Sequence, residues 1–320
     1  MPIASLSSIG LSSSVHHGPS PSSPSIRSPA VTATAGNKIA LSSLSGEFVH
    51  LVIQVTRDFI PVVCPEWNVP FVMNDQKEPL VDVGVADLSA DQFQRLVVVA
   101  GRTSDAKLPL AQLSSASEWQ RCLSGSFCTL TEVLKALPLK YGVSLELRYP
   151  NPVIRQRYSL GRNHEPNEFV DSVLRTVYSA LATHSGAFPR RKIVFSSFVP
   201  TICTAINWKQ PNYAVFFASK GGVARPAGND TGVLLADEEE IDTRCRSISA
   251  AVNFARNNNL LGLILNASIL QQVPSLILGI KEHGVMLAAF GNTNLLPLSS
   301  ATGTSTKVDA MLTEGVLTFV

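Results

Sequence analysis

The chain has 320 residues, 45% hydrophobic and 16% charged, with a net charge of +2 at pH 7. That is enough apolar material for one large domain with a buried core, and so small a charge balance gives no electrostatic case for nucleic-acid or membrane-surface binding. No apolar run approaches the ~20 residues that span a bilayer, and five scattered cysteines (Cys64, Cys122, Cys128, Cys203, Cys245) without a Cys-x-x-Cys pair read as reduced thiols of a cytoplasmic or nuclear protein, not as a disulfide framework or a zinc site.

Residues 1–36 are rich in Ser, Pro and Ala and poor in large apolar groups. They cannot offset the entropy cost of ordering, so a disordered tail is expected, followed by a single domain over 37–320. The Ser-Pro steps at Ser20, Ser23 and Ser28 fit proline-directed kinases and are also what such composition gives by chance. Serines break any signal-peptide core near the start, and a single arginine (Arg27) in the first 37 residues speaks against a transit peptide.

Lys38–Ser43 reads as a first strand. Phe48–Val55 and Ile60–Val63 are β-branched, apolar runs around the polar turn Thr56-Arg57-Asp58, a hairpin signal. Residues 68–87 read as a loop. Ser89 and Gln92 have capping-box spacing and open a helix that buries Phe93, Leu96 and Val97. Residues 101–127 read as an inserted loop with at most a short helix near Trp119. Thr129 and Glu132 form a second capping box, opening the helix Thr131–Leu137 that Pro138 ends.

From there strands and helices alternate. The expected strands are Val143–Tyr149, Arg191–Phe198, Tyr213–Ser219, Leu260–Asn266, Val285–Phe290 and a last one near Ala310–Thr313; the expected helices are Asn167–Leu181, Pro200–Asn207, Asp237–Asn257 and Pro274–Glu282. Strands apolar on both faces, alternating with helices, predict a parallel sheet. About eight of them predict an α/β fold of the TIM-like (β/α)8 barrel type. No strand is followed by a glycine-rich nucleotide-binding loop.

The segment Ile53-Gln-Val-Thr-Arg-Asp-Phe-Ile-Pro-Val-Val63 resembles the glycerophosphodiester phosphodiesterase family. Further similar segments follow in family order: Phe127-Cys-Thr-Leu-Thr-Glu-Val-Leu134, Leu145-Glu-Leu-Arg-Tyr-Pro150, Ile193-Val-Phe-Ser-Ser-Phe198, Asn259-Leu-Leu-Gly262 and Asp309-Ala-Met-Leu-Thr-Glu-Gly315. Within the family, Leu44-Ser-Gly46, Trp67 and Lys209-Gln-Pro-Asn-Tyr213 are similar to the fungal branch that inhibits a cyclin-dependent kinase during phosphate starvation. That resemblance implies SPX and ankyrin segments ahead of such a domain, a regulatory role in phosphate homeostasis, and a cyclin–cyclin-dependent-kinase partner.

The resemblance also implies where chemistry would reside. Family hydrolysis uses Mg²⁺ or Ca²⁺ on three carboxylates and a pair of histidines. The first two carboxylate positions fall on His50 and Val52, the third on Glu146, and one histidine falls on Pro65. Imidazole suits Mg²⁺ and Ca²⁺ poorly, and Val52 cannot coordinate. Pro65 has no side-chain proton to move. The expectation is therefore a degenerate, non-catalytic domain with no cofactor, in which Glu146 is the single retained metal-ligand position. Glu146 also reads as a core-edge acid paired with a nearby arginine. The alternative is an active, metal-dependent phosphodiesterase with a rearranged site using Glu146, Glu66 and His50. The segment after the Glu146 strand carries Arg148, Arg155, Arg157 and Arg162. In a barrel it lies at the ligand-binding face, where these arginines are candidates for holding a phosphorylated ligand; a solvated basic loop is the plainer reading. Arg190-Arg191-Lys192 precedes its strand and reads as a solvated edge at the opposite end.

Overall fold

The computed structural model describes residues 44, 46–71, 81–99, 113–182, 191–222, 242–290 and 316–318. The expected tail (1–36), the first strand Lys38–Ser43 and the last strand Ala310–Thr313 lie outside them.

The hairpin is present as β1 (Phe48–Val55) and β2 (Pro61–Val63), antiparallel, with Ile53 opposite Val63. Its turn puts Phe59 at φ 61°, the left-handed region that a bulky side chain enters at a cost. The Phe59 ring there packs on His164, with centroids 4.6 Å apart.

One expectation for the next segments needs correction, and the short helix expected near Trp119 is present. Residues 68–87 contain β3 (Asn68–Phe71) and β4 (Val81–Gly84), paired antiparallel, and a 3₁₀ turn at Val85–Asp87. These strands are four residues long and one contains Pro70, so they escape a periodicity reading; proline is tolerated at a sheet edge. Around Trp119 stands a nine-residue helix, α2 (Ala116–Ser124). It follows α1 (Ala90–Val99), and its capping box joins Ser115 to Glu118. Phe93 and Leu96 of α1 are buried with Val62, Val69, Val85 and Leu88 in a satellite core beside β2. Helix α3 (Leu130–Ala136) carries the expected box, with Glu132 N–H on Thr129 Oγ1 at 3.3 Å and Thr129 N–H on Glu132 Oε2 at 2.8 Å.

The parallel part follows as β5 (Gly142–Leu147), α4 (Pro152–Arg157), α5 (Pro166–Ala182), β6 (Ile193–Ser197), α6 (Pro200–Lys209) and β7 (Ala214–Ser219). Then come α7 (Ile248–Asn257), β8 (Gly262–Asn266), α8 (Ala267–Gln272), α9 (Ser275–Glu282), β9 (Met286–Phe290) and β10 (Val316–Thr318). The expected helix at Asp237 begins instead at Ile248, capped by Ser247; residues up to 241 are outside the described set. Asp242 is held in a local turn, accepting from Arg244 N at 3.0 Å, and such side-chain bonds compete with helix. The short helices α4 and α8 add to the expected set.

The strand order is β10-β9-β8-β7-β6-β5-β1-β2, parallel throughout except for β2. Alternate positions separate two environments. Leu51, Ile53, Leu145, Leu147, Phe195, Phe217 and Leu263 pack outward against the helices, where Val173, Val177, Ile202, Ile206 and Val252 meet them. Each large side chain so buried contributes roughly 1.5–3 kcal/mol. Val194, Phe216, Ala218, Ile264 and Ala288 pack on the other face with Phe48, Phe198, Met286 and Phe290, a cluster to which no helix contributes among the described residues. An open, doubly wound sheet has helices on both faces; this one curls around its inner residues instead. The rings of Phe198 and Phe290, after β6 and at the end of β9, lie 5.7 Å apart across that interior. In a flat sheet those strands stand about 14 Å apart at ~4.8 Å per step. The architecture is the TIM-like (β/α)8 barrel, and its interior polar residues include His50 of β1, Ser144 and Glu146 of β5 and Ser196 of β6.

At the end opposite the candidate site, the expected solvated edge is corrected. Arg191 is 4% exposed, and its guanidinium donates to the carbonyls of Leu134 (3.3 Å), Leu137 (2.5 Å), Pro138 (3.3 Å) and Tyr141 (3.3 Å). These include acceptors that a helix leaves unpaired at its C-terminus, so the basic residue is needed inside.

Candidate functional site

Strands β1 and β5 run parallel in a register that sets His50 against Ser144 and Val52 against Glu146. All four face the barrel interior, because their neighbours Leu51, Ile53, Leu145 and Leu147 face the helices. A buried carboxylate is costly unless paired, and Glu146 is paired twice. His50 Nε2 lies 3.3 Å from its Oε2. Arg148 shares the face of Glu146 by the two-residue strand period and donates Nε and Nη2 to Oε1, at 3.2 and 3.0 Å. Burial pushes the Glu146 carboxyl up, but the His50 hydrogen bond and the Arg148 charge together outweigh it and hold the group below its ordinary range. The acid at the barrel mouth thus has an arginine partner two residues on, just past the end of β5.

The remaining contacts fix this ion cluster. His50 Nδ1 is 3.4 Å from Ser144 Oγ, and its backbone N–H donates to Gln120 Oε1 of α2 at 2.7 Å. Arg148 Nη1 donates to the carbonyl of Pro65, and the guanidinium carbon sits 5.4 Å from the centre of the Trp67 ring. Gln54 Nε2 donates to the carbonyls of Cys64 (3.0 Å) and Glu66 (2.6 Å), holding the strand exit in place. Pro65 thus enters the site through its backbone oxygen. The Cys64 thiol beside it is pushed up to about 11, chiefly by burial, and is protonated at neutral pH.

Several chemistries can be weighed on this arrangement. Ser144, His50 and Glu146 resemble a nucleophile, base and orienting acid in type, but Ser144 has no exposed surface to offer a substrate. A hard divalent cation wants several oxygen ligands. Glu146 is one carboxylate whose two oxygens are engaged by cationic or donor side chains, Val52 supplies no donor, and Glu66 is exposed. Among the described residues no group of three His, Cys, Asp or Glu side chains is arranged to hold a metal. The described residues of this cluster do not fit the ion that the family resemblance implies.

The four arginines named from the sequence are divided between places. Arg148 points inward as described. Arg155 and Arg157 stand on α4, capped by Asn151 on Ile154 N–H at 2.9 Å, and Arg155 Nη2 donates to the Gly161 carbonyl at 3.1 Å. Arg162 is exposed, and its backbone N–H donates to Asp87 Oδ1 at 2.8 Å. Asp87 Oδ2 also accepts from Gly161 N–H at 3.3 Å, and Asn68 Nδ2 donates to the Tyr158 carbonyl at 3.0 Å. The hairpin β3–β4 and its 3₁₀ turn are therefore stapled to residues 158–162. A Cβ at Gly161 would lie 2.9 Å from Asp87 Oδ1, so a side chain there would displace the Asp87 carboxylate from these bonds.

Sequence reasoning does not reach Gln120, Ser144 or the Pro65 carbonyl. Their only signal is the register between distant segments. His164 is buried, with Nε2 3.2 Å from the Val55 carbonyl; His16, His17 and His184 lie outside the described residues.

Comparison with known proteins places these observations. Over 272 residues the chain is 33% identical to the ankyrin repeat protein nuc-2 of Neurospora crassa, covering 77% of this chain and 25% of that protein. It is 26% identical to the glycerophosphocholine phosphodiesterase GDE1 of Candida albicans, covering 89% and 26%. It is 27% identical to the phosphate system positive regulatory protein PHO81 of Saccharomyces cerevisiae, covering 82% and 22%. The chain spans about a quarter of the length of these relatives. No helix among the described residues is long and apolar enough to cross a membrane. The sequence model of the glycerophosphoryl diester phosphodiesterase family matches residues 46–318, and the chain belongs to that family.

Proposed function

We propose that this domain is a non-catalytic member of its family with a regulatory role in phosphate homeostasis. The observation that carries the reading is Glu146, held at both oxygens by His50 and Arg148. Positive charge that a divalent ion would bring to a phosphodiester is here supplied by the Arg148 guanidinium, which is paired with the protein's own carboxylate. Val52 and Pro65 support the same reading, since neither can coordinate a metal or carry a proton from its side chain. The likeness to nuc-2 and to the phosphate system regulator PHO81 supports the regulatory part. A cyclin–cyclin-dependent-kinase complex is the partner this reading calls for, through the resemblance noted above. Saturable co-purification with such a complex is expected, and failure to bind it would remove that partner.

The second reading is an active phosphodiesterase that recruits Mg²⁺ or Ca²⁺ after rearrangement, and the likeness to the phosphodiesterase GDE1 favours it. Purified protein given glycerophosphocholine or glycerophosphoinositol, with either ion and with chelator, decides between the two. The expected result is no turnover under any condition. Chelator-sensitive hydrolysis that disappears in Glu146→Ala would overturn the non-catalytic reading.

A further inference from the structure

Helix α6 buries Ile202, Cys203 and Ile206 in the main core. Thr201, Thr204, Ala205 and Trp208 recur at the three- and four-residue spacing of its other face and lie at the surface. Trp208 is 82% exposed, more than any other large apolar side chain among the described residues. Scattered exposed apolar residues are ordinary, but tryptophan is enriched at protein contacts and carries much of their energy.

Beside Trp208 lies a shallow groove of about 360 Å³, walled by Asn167 at the start of α5, by Thr201, Thr204 and Ala205, and by Arg244. At a water's ~30 Å³ share of the liquid that is room for about a dozen waters, enough for the roughly ten heavy atoms of one indole side chain. Its cations are already paired, Lys209 with Asp171 at 2.6 Å and Arg244 with Asp242, so it calls for no strongly charged occupant. Arg244 suits an aromatic one. Its edge donates to both Asp242 oxygens, at 2.8 and 2.6 Å, and its guanidinium carbon lies 5.3 Å from the centre of the Phe254 ring. The guanidinium plane is thereby fixed, and its remaining surface lines the groove, where a second ring can stack on it.

We propose that two copies of this chain pair through this face, the Trp208 of each entering the groove of the other and lying on its Arg244. A tryptophan on the rim of its own groove suits a two-fold axis, because the axis passes beside it and both insertions fall within one self-complementary patch. Each ring brings about 150–250 Å² of surface. With the groove wall that each covers, two insertions bury about 600–1,000 Å², below the ~1,200 Å² at which stable interfaces begin. The dimer is therefore weak, with a Kd of about 10–100 μM. This contact is independent of the chemistry at the barrel mouth.

The test is sedimentation equilibrium of the full chain from about 1 to 300 μM, a range that brackets that Kd. A monomer–dimer equilibrium is expected. Trp208→Ala should weaken it at least about a hundredfold, as the loss of two central aromatic anchors does. Arg244→Gln should weaken it by about tenfold, the size of two lost cation–π contacts. Trp208→Ala titrated with Arg244→Gln should associate more tightly than Trp208→Ala with itself, since one intact insertion returns in the mixed pair. Thr201→Arg, at an exposed groove position, obstructs the groove and takes the place of Arg244→Gln if that variant fails to fold. Four results would each overturn the proposal: a chain monomeric throughout, a dimer untouched by Trp208→Ala, a dimer that the groove variants leave unchanged, or a mixed pair no tighter than Trp208→Ala alone.

Discussion

Two arginines close the two ends of this barrel, and they are satisfied by different kinds of partner. At the floor, Arg191 is buried and donates to four backbone carbonyls at and beyond the end of α3. Burial pulls its pKa down, and the partial negative charge of a helix C-terminus opposes that cost. At the mouth, Arg148 is a quarter exposed and divides its donors between Glu146 and the Pro65 carbonyl. The floor acceptors are main chain, which no substitution removes. The mouth acceptor is largely one carboxylate, which a single substitution can change. A basic residue that holds architecture and one that belongs to a site differ here in what they bond, more than in how deeply they lie.

The largest expected effect is at the floor. Arg191→Met leaves buried carbonyls without donors and should cost about 3–5 kcal/mol, read as a lower urea midpoint. A midpoint equal to that of the parent would show that the carbonyls find other donors and would dissolve the contrast. At the mouth, Arg148→Met should cost about 2–4 kcal/mol, because a buried carboxylate loses its permanent countercharge. Here a second substitution should help: Arg148→Met with Glu146→Gln is expected to be more stable than Arg148→Met alone. Costs that simply add, within about 0.5 kcal/mol, would mean that the two side chains are not coupled.

The smallest effect is in acid, and it separates the ends most cleanly. Glu146 has its pKa lowered in the fold, so its stabilising contribution is present above the ordinary carboxylate value of 4.5. That contribution is lost as pH falls below 4.5 and through the lowered folded value. Glu146→Gln should flatten this part of the stability–pH curve, while the Arg191 cap, charged throughout, should not contribute to it. An unchanged acid limb in Glu146→Gln would show that other carboxylates carry it.

Much of the frame is legible in the sequence because its signals are local. The capping boxes at Ser89 and Thr129, the apolar spacing of α5 and the runs of β1, β6 and β8 each act within a few residues. The box at Ser115 and Glu118 is equally local, but it sits in a polar segment whose lack of period hides it. The site is legible only in part. Arg148 and Glu146 share a strand face by spacing, so their pairing follows from period two. That His50 joins them, that Gln120 reaches its backbone and that Pro65 offers a carbonyl depend on bringing together segments up to 94 residues apart. No local pattern encodes that register. The Phe59 turn is unreadable for the opposite reason: its left-handed backbone is held by a distant ring, His164, in place of the glycine that would announce it.

The pairing of β1 with β5 also sets an order of events during synthesis. Position 50 meets position 144, so at about 5–20 residues per second β1 waits roughly 5–20 seconds for its parallel partner. Its hairpin partner arrives almost at once, since hairpins close in about 1–10 μs, but β2 covers only Ile53, Gln54 and Val55, and along one edge. The other edge stays open to any passing strand in the meantime. His50 and Gln54 interrupt an otherwise apolar run during that interval, so the polar residues that later form the interior of the mouth also keep the nascent strand soluble.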